Sequence, residues 1–274
     1  MWPPVAVHVA LTQEELNVAL CMGATKKDGT MVEWRMPGIV LSARRYGEGD
    51  LVVNALTEEM GRHAGLVHGG GSKRNRANYE VGNRLEFSWA ARLNEHLGTY
   101  RADMINSPAA GIMHDPDRLA ALSSLCALID TALPEREPAP GLYAAFSLWL
   151  DQVQEAHWAP LLVRIELGLL EILGFGLDLT SCAVTGETDT LTHVSPKSGR
   201  AVSASAAEPY LDRLLPLPGF LVGGGAASDR DIVHGLQLAG HFLERRVFNV
   251  HNWTLPPQRA LLLQRMQRRL GENG

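Results

Sequence analysis

The sequence GIVLSARRYGEGD, residues 38–50, decides the fold together with LVVNALT over residues 51–57. Two apolar runs flank a turn in which glycines alternate with acidic residues. Short apolar runs bounded by Gly-rich turns are typical of β-hairpins, because glycine adopts the backbone angles that tight turns require. The stretch therefore predicts two antiparallel strands joined by a tight turn.

Three further strand-like segments follow. Residues 63–67 form a short run after the turn at Gly61-Arg62, and residues 98–105 form a later one. Between them, residues 84–90 alternate strictly between large apolar and polar side chains. The apolar members of that strand are Leu85, Phe87 and Trp89. Five short strands with glycine turns predict a small barrel of the oligonucleotide-binding (OB) kind, with these three side chains in its core.

These motifs resemble the amino-terminal domain of the bacterial RecO family. The resemblance rests on G-I-V-L, on R-x-Y-G-E-x-D over residues 44–50, on T-x-E-x-G over residues 57–61, and on a basic Gly-rich loop. It continues in pattern over residues 31–270. Membership implies a non-enzymatic DNA repair factor that binds single- and double-stranded DNA and anneals complementary strands. It also implies contact with single-strand-binding protein, action with RecR to load RecA, and a cytoplasmic, nucleoid-associated location.

Composition limits how such a protein can bind DNA. The 274-residue chain carries a net charge of -5, whereas proteins that coat nucleic acid by bulk charge are strongly basic. Residues 31–101 hold ten Lys and Arg against eight Asp and Glu, so this segment is mildly basic while the whole chain is acidic. The three cysteines form no framework and fit a reducing compartment. No window is apolar enough to predict a membrane span.

The DNA-contact candidates are the basic residues of the barrel and one aromatic residue. They are Arg44, Arg45, Tyr46, Lys73, Arg74, Arg76, Arg92 and Arg101. Residues 69–76 are interpreted as a mobile basic loop that holds backbone phosphates; a solvated hairpin loop is the alternative. A phosphate-binding nucleotide loop is excluded by register, because the lysine falls two positions late. Tyr46 and Tyr79 are candidates for base stacking, with packed turn tyrosines as the alternative.

After the barrel the hydrophobic period changes from two to about 3.6, which predicts helices. We expect an extension over residues 1–30, an OB-fold DNA-binding domain over 31–108 and a helical domain over 109–274. Asp115-Pro116 predicts one helix start, and Ser228 with Asp231 predicts another. The extension is expected to be disordered, or to reflect a mis-assigned start with Met31 as the true first residue, and to be dispensable.

Residues 180–206 form a polar insert in the helical domain. Many RecO proteins place two C-x2-C pairs here, which hold zinc. The matching positions in this chain are Cys182, Thr185, Ser203 and Ala206, and only the first supplies a thiol. We therefore predict an α+β protein with a degenerate, metal-free zinc-ribbon-like insert and no cofactor. Its hairpin is expected to pack three side chains inward: Val184, Leu191 and Val202.

A second basic group lies near the carboxyl terminus. It comprises Arg245, Arg246, Arg265, Arg268 and Arg269, and Arg259 is placed with it opposite the apolar face of the last helix. Three interpretations stay open: a solvated helix face, a second DNA patch, or a dock for the acidic tail of single-strand-binding protein. At the level of the whole chain, the alternatives are an RNA-binding OB-fold protein with a helical interaction domain and a hydrolase with an unrecognised site.

Overall fold

A computed structural model describes residues 25–27, 31–94, 96–223 and 225–273. The expectations for residues 1–24 lie outside these residues. Residues 25–27 form a short strand that pairs antiparallel with residues 31–33. The α+β fold class is confirmed: a barrel is followed by a helical domain.

The barrel contains six strands within the described residues. They are β1 (Thr25–Lys27), β2 (Met31–Tyr46), β3 (Asp50–Thr57), β4 (Gly61–Val67), β5 (Arg84–Ala91) and β6 (Thr99–Asn106). The order is β1-β2-β3-β4-β6-β5, and β5 also pairs with the first half of β2. This second pairing closes the sheet into a barrel, because the 16-residue β2 is long enough to serve two neighbours.

The barrel core is aromatic. Leu85, Phe87 and Trp89 are at most 1% exposed, as their alternation predicts. Trp34 stacks on Trp89 with ring centroids 6.0 Å apart. His63 is buried between them, and its Nδ1 lies 3.0 Å from the Tyr100 hydroxyl. Burial, with the charge of Arg136 second, lowers the pKa of His63 to about 4, so the barrel core holds a neutral imidazole at pH 7.

The helical domain follows directly. Its elements are α1 (Pro108–Gly111), α2 (Pro116–Ala132), α3 (Pro140–Gln152), α4 (Trp158–Ile172), β7 (Leu191–Val194), β8 (Ala201–Ser203), α5 (Ala204–Ala207), β9 (Leu215–Pro216), α6 (Asp229–Phe242) and α7 (Pro257–Asn273). The Asp115 side chain accepts from two backbone N–H groups at the start of α2, and Ser228 and Asp231 form a capping box on α6, as predicted. A π-helical turn, Leu243–Phe248, extends α6.

The outer face of the barrel contributes side chains to the core of the helical domain. Ile39, Leu41 and Leu56 point out of the barrel into the helical cluster, while Val40 points into the barrel core. Residues 39–41 are therefore buried on both faces of β2, which explains why the sequence reads there as an unbroken apolar run. Gly61 fixes the junction, because a Cβ on it would lie 1.8 Å from the Glu137 carbonyl oxygen.

The insert forms the predicted hairpin, and β9 adds a third strand to it. Leu191 and Val202 are buried as expected. Val184 is 74% exposed, so its predicted inward packing is wrong. It lies in the tight turn before β7, and the chain there turns outward before the strand begins.

Candidate nucleic-acid interface

Two loops meet at one end of the barrel, which we call the loop end. They are the turn loop (47–49) and the basic loop (68–76). Leu51 pairs with Val67, so β4 ends beside the turn loop. The β5–β6 loop (92–98) lies along β4: the Leu66 N–H donates to the Gly98 carbonyl at 3.0 Å, and the Asn94 and His96 carbonyls accept from Arg136, whose own N–H donates to the Arg62 carbonyl near the start of β4. In OB folds, ligand contacts come from loops that flank the sheet in this way.

The basic loop is a hydrogen-bonded turn. The Gly71 N–H donates to the Gly49 carbonyl at 2.9 Å, and the Gly69 N–H donates to Asp50 Oδ1 at 2.8 Å. Asn75 Nδ2 donates to the Gly69 carbonyl at 3.2 Å. Its glycines permit close backbone packing on the turn loop. The mobility expected from the sequence stays a prediction.

Four predicted cations extend into solvent at the loop end, Arg45 from β2 and Lys73, Arg74 and Arg76 from the basic loop, and a fifth, Arg92, extends from the β5–β6 loop. All five are exposed. None of them forms an ion pair with a carboxylate of the described residues. A phosphate that approaches the loop end therefore meets positive charge without displacing an internal partner.

Arg101 and Arg44 lie further from the centre of this surface. Arg101 is exposed on the outer face of β6, two residues from Thr99, which pairs with Ala90 near the β5–β6 loop. Arg44 is on the opposite face of β2 from Arg45, because neighbouring strand residues alternate. Its guanidinium lies 4.0 Å from Asp130 on α2, beside a groove between the two domains.

The two candidates for base stacking differ in their exposure to solvent. Tyr46 is 58% exposed next to Arg45 at the start of the turn loop. Tyr79 is 7% exposed and packs into the barrel core, so for this residue the packed alternative is confirmed. Tyr46 alone of the pair offers a ring face on which a base can stack.

Sequence reasoning missed two groups that hold the barrel loops in place, Asp50 at the loop end and Arg136 beside the β5–β6 loop. Asp50 connects the turn loop to the basic loop, since its Oδ2 lies 2.9 Å from His68 Nδ1. Hydrogen bonds from the Gly69 N–H and from His68 lower the pKa of Asp50. Arg136, between α2 and α3, donates to the carbonyls of Asn94 and His96 in the β5–β6 loop. Its partners are some 40 residues distant in sequence, and no local pattern indicates them.

The second basic group does not assemble into one patch. Arg269 pairs with Asp229 at the start of α6, whereas Arg245 and Arg246 follow the end of that helix, roughly 24 Å away at 1.5 Å per residue. Arg265 lies 2.7 Å from Asp117, and Arg246 stacks over the Phe242 ring. Arg245 and Arg268 are exposed and form no ion pair within the described chain.

Arg259 was placed on the wrong face by the sequence interpretation. It precedes Leu262 by three residues and Met266 by seven, so all three share the buried face of α7. Its side chain is 3% exposed and contacts Glu166 on α4, with Nε–Oε1 and Nη2–Oε2 separations of 2.7 and 2.9 Å. Burial raises the pKa of Glu166 against the opposing effect of Arg259. Arg259 is therefore part of the core.

The insert brings three of its four ribbon positions together. The Cys182 sulfur accepts from the Ser203 N–H at 3.2 Å, the Ser203 hydroxyl at 3.4 Å and the Thr185 N–H at 3.5 Å. Burial raises the pKa of Cys182, but these hydrogen bonds outweigh it and lower the pKa to about 6. Among the side chains that the structure describes, no three His, Cys, Asp or Glu groups are placed to hold a metal ion.

No helix within the described ranges is long and apolar enough to cross a membrane. The described molecule thus has an OB-fold-like barrel with unpaired cations at its loop end, and the outer face of this barrel packs on the core of a helical domain. This combination defines the class: two-domain proteins in which an OB-fold-like barrel is followed by a helical domain.

Comparison with known sequences identifies the class further. Residues 31–108 match the family described as recombination protein O N terminal, and residues 113–256 match recombination protein O C terminal. The chain is 52% identical to the DNA repair protein RecO of Rhodospirillum centenum over 86% of this chain and 96% of that relative. It is 48% identical to the one from Hyphomonas neptunium over 86% and 98%. The chain belongs to the RecO family.

Proposed function

We propose that this protein is a non-enzymatic recombination mediator in DNA repair. It binds single- and double-stranded DNA through the loop end and anneals complementary strands. With RecR it helps to load RecA onto DNA covered by single-strand-binding protein. Its relatives are named DNA repair proteins, which supports a role in DNA repair. The observation that carries DNA binding is the gathering of Arg45, Lys73, Arg74 and Arg76 at the loop end, with Arg92 on the β5–β6 loop, all without carboxylate partners in the described chain.

The chemistry of the loop end favours sequence-independent binding. Long cationic side chains on a fixed backbone contact phosphates, which are the same in every sequence. Tyr46 adds a stacking surface that accepts any base, at roughly 1–3 kcal/mol per base. Binding of this kind releases counterions, so affinity falls steeply as salt rises. Arg44 and Arg101 extend the contact along the barrel.

The proposed protein partners bind surfaces other than the loop end. The acidic tail of single-strand-binding protein requires cations that are not already paired, and Arg245 and Arg268 meet that condition within the described residues. RecR and RecA complete the loading reaction that the family resemblance implies. In this scheme the protein acts in the cytoplasm, at the nucleoid.

The test is a titration of the full chain against a labelled DNA oligonucleotide and an RNA of the same sequence at several salt concentrations. We expect DNA binding with a log–log salt slope of about -0.7 per neutralised phosphate of a single strand. Complementary strands are then mixed with the protein in the absence of ATP, and faster pairing is expected. A preference for RNA would support the RNA-binding alternative, and annealing that requires ATP hydrolysis by this chain would contradict the mediator proposal.

A further inference from the structure

Asp50 occupies the position where the turn loop and the basic loop meet. Its carboxylate receives the Gly69 N–H on Oδ1 at 2.8 Å and contacts His68 Nδ1 through Oδ2 at 2.9 Å. Both oxygens are therefore engaged by the first two residues of the basic loop. In the same place the Gly71 N–H donates to the Gly49 carbonyl at 2.9 Å. The two loops are connected at three points over four residues of the basic loop.

The position of the basic loop depends on these contacts. A Cβ on Gly71 would lie 3.1 Å from the Gly49 carbonyl oxygen, so the two backbones are already in close contact. Gly69 has φ +65, which lets the chain leave β4 and turn back onto Asp50. Beyond Gly71, the Arg76 N–H donates to the Ser72 carbonyl at 2.9 Å. Lys73 and Arg74 therefore extend from a short turn whose start is fixed at Asp50.

We propose that Asp50, with His68, is a positioning residue for nucleic-acid binding: it fixes the basic loop against the turn loop, so that Lys73, Arg74 and Arg76 act together with Arg45 and Tyr46. This inference rests on the proposed function of the loop end. Asp50 does not touch the ligand. It is an acid that strengthens the binding of an anion, because ordering the loop in advance removes a cost that binding would otherwise incur.

For a variant that lacks Asp50, the positioning role predicts weaker DNA binding, whereas the loss of its negative charge alone would predict tighter binding. Removal of an acid from a basic surface raises its positive potential and strengthens the binding of an anion. Asp50→Ala removes one negative charge, yet it is expected to weaken binding of a single-stranded oligonucleotide roughly tenfold and to make the salt slope shallower. The matched control is Glu48→Ala, two residues earlier. Glu48 is exposed and its side chain forms no hydrogen bond or ion pair with the described residues, so its variant is expected to bind equally or more tightly.

A conservative variant separates positioning from charge. Asp50→Asn removes the same charge but keeps an oxygen that accepts from the Gly69 N–H, so it is expected to bind within about threefold of the unsubstituted protein. In a Lys73→Ala, Arg74→Ala, Arg76→Ala background, Asp50→Ala is expected to have no further effect, because the cations that it positions are gone. Thermal melting of each variant verifies the fold. If Asp50→Ala does not fold, His68→Ala decides: weaker binding supports the inference and unchanged binding overturns it.

The outcomes distinguish this inference from the proposed function. If the triple alanine variant weakens binding but Asp50→Ala binds as Glu48→Ala does, positioning is overturned and the loop end remains the DNA site. If the triple alanine variant binds as the unsubstituted protein does, the role of the basic loop in the proposed function fails. If Asp50→Ala weakens binding equally in both backgrounds, its effect is general and the inference is overturned.

Discussion

The charged groups of the two domains differ in what they contact. At the loop end of the barrel, Lys73, Arg74 and Arg76 are exposed and have no carboxylate partner among the described residues. In the helical domain, Arg265 and Arg269 are paired with Asp117 and Asp229. Arg259 is enclosed in the core. These basic residues are thus left without a carboxylate partner in one domain and are paired within the fold in the other.

For the binding of an anion, the position of a basic residue in the sequence therefore matters less than whether its side chain is already paired with a carboxylate. An anion that approaches a paired arginine competes with the carboxylate for it. An anion that approaches an unpaired cation displaces only water and counterions. The following predictions test this contrast, beginning with the largest expected effect.

The first prediction concerns the most strongly engaged arginine. Arg259→Ala is expected to lower the free energy of unfolding by about 3–5 kcal/mol, because it leaves the Glu166 carboxylate buried without its partner. Glu166 is fully buried, so water cannot replace the guanidinium. Denaturant titration measures the loss. The control, Arg268→Ala, is expected to change stability by no more than about 0.5 kcal/mol.

A double variant sharpens this prediction. Glu166→Leu together with Arg259→Met removes both charges, and it is expected to recover most of the lost stability, since apolar groups of similar volume replace a buried ion pair at little cost. A loss below about 1 kcal/mol for Arg259→Ala would contradict the structural role assigned to this residue.

The second prediction compares two matched triple variants. Lys73→Ala, Arg74→Ala, Arg76→Ala is expected to weaken single-stranded DNA binding roughly tenfold to a hundredfold at about 0.1 M salt, with a shallower salt slope. Arg265→Ala, Arg268→Ala, Arg269→Ala removes the same charge and is expected to leave affinity within about threefold. It loses about 1 kcal/mol of stability per ion pair at most. Equal losses of affinity in the two variants would remove the contrast between the domains.

Much of the fold could be predicted from local patterns. The alternation around Phe87 gave a strand, and Ser228 with Asp231 gave a helix start, because both signals depend on neighbours in sequence. The buried position of Arg259 also follows from helical periodicity, because this residue lies three positions before Leu262 on the same face. Its charge alone had indicated the solvent-exposed face instead. The basic residues of the loop end were predicted individually, since composition alone marks them.

What holds the barrel loops in place could not be predicted from local patterns. Asp50 and His68 are 18 residues apart, and Arg136 reaches a loop 40 residues before it. The first pair forms when β3 and β4 align, because Leu51 pairs with Val67 beside it, and the second forms once the α2–α3 linker packs against β4. The hydrogen bonds of the basic loop were not predicted either: its glycines suggest freedom, and the carbonyl that accepts from Gly71 is that of Gly49 on another loop.

The third prediction concerns the polar group inside the barrel core. The pKa of His63 is lowered to about 4 in the folded protein, from an ordinary value of 6.5. Between these values the unfolded chain binds a proton that the folded chain does not, so stability falls as pH decreases, by at most about 1.4 kcal/mol per pH unit. His63→Phe is expected to reduce the slope of unfolding free energy against pH in this window by up to one proton. Tyr100→Phe, which keeps the imidazole, is expected to retain it; an unchanged slope in His63→Phe would contradict the assignment.

The last prediction has the smallest expected effect, and it concerns the insert of the helical domain. The Cys182 sulfur is already enclosed by donors from Ser203 and Thr185. Neither of these side chains is a zinc ligand, since hydroxyls stay protonated near neutral pH, and tetrahedral structural sites take four thiolate or imidazole ligands. We therefore expect well under one equivalent of zinc in the purified protein by elemental analysis, and no change in melting temperature with a chelator. Cys182→Ser serves as the control and is expected to leave the zinc content unchanged. Stoichiometric zinc that Cys182→Ser abolishes would show that the helical domain uses this sulfur for a ligand, contrary to the contrast drawn between the two domains.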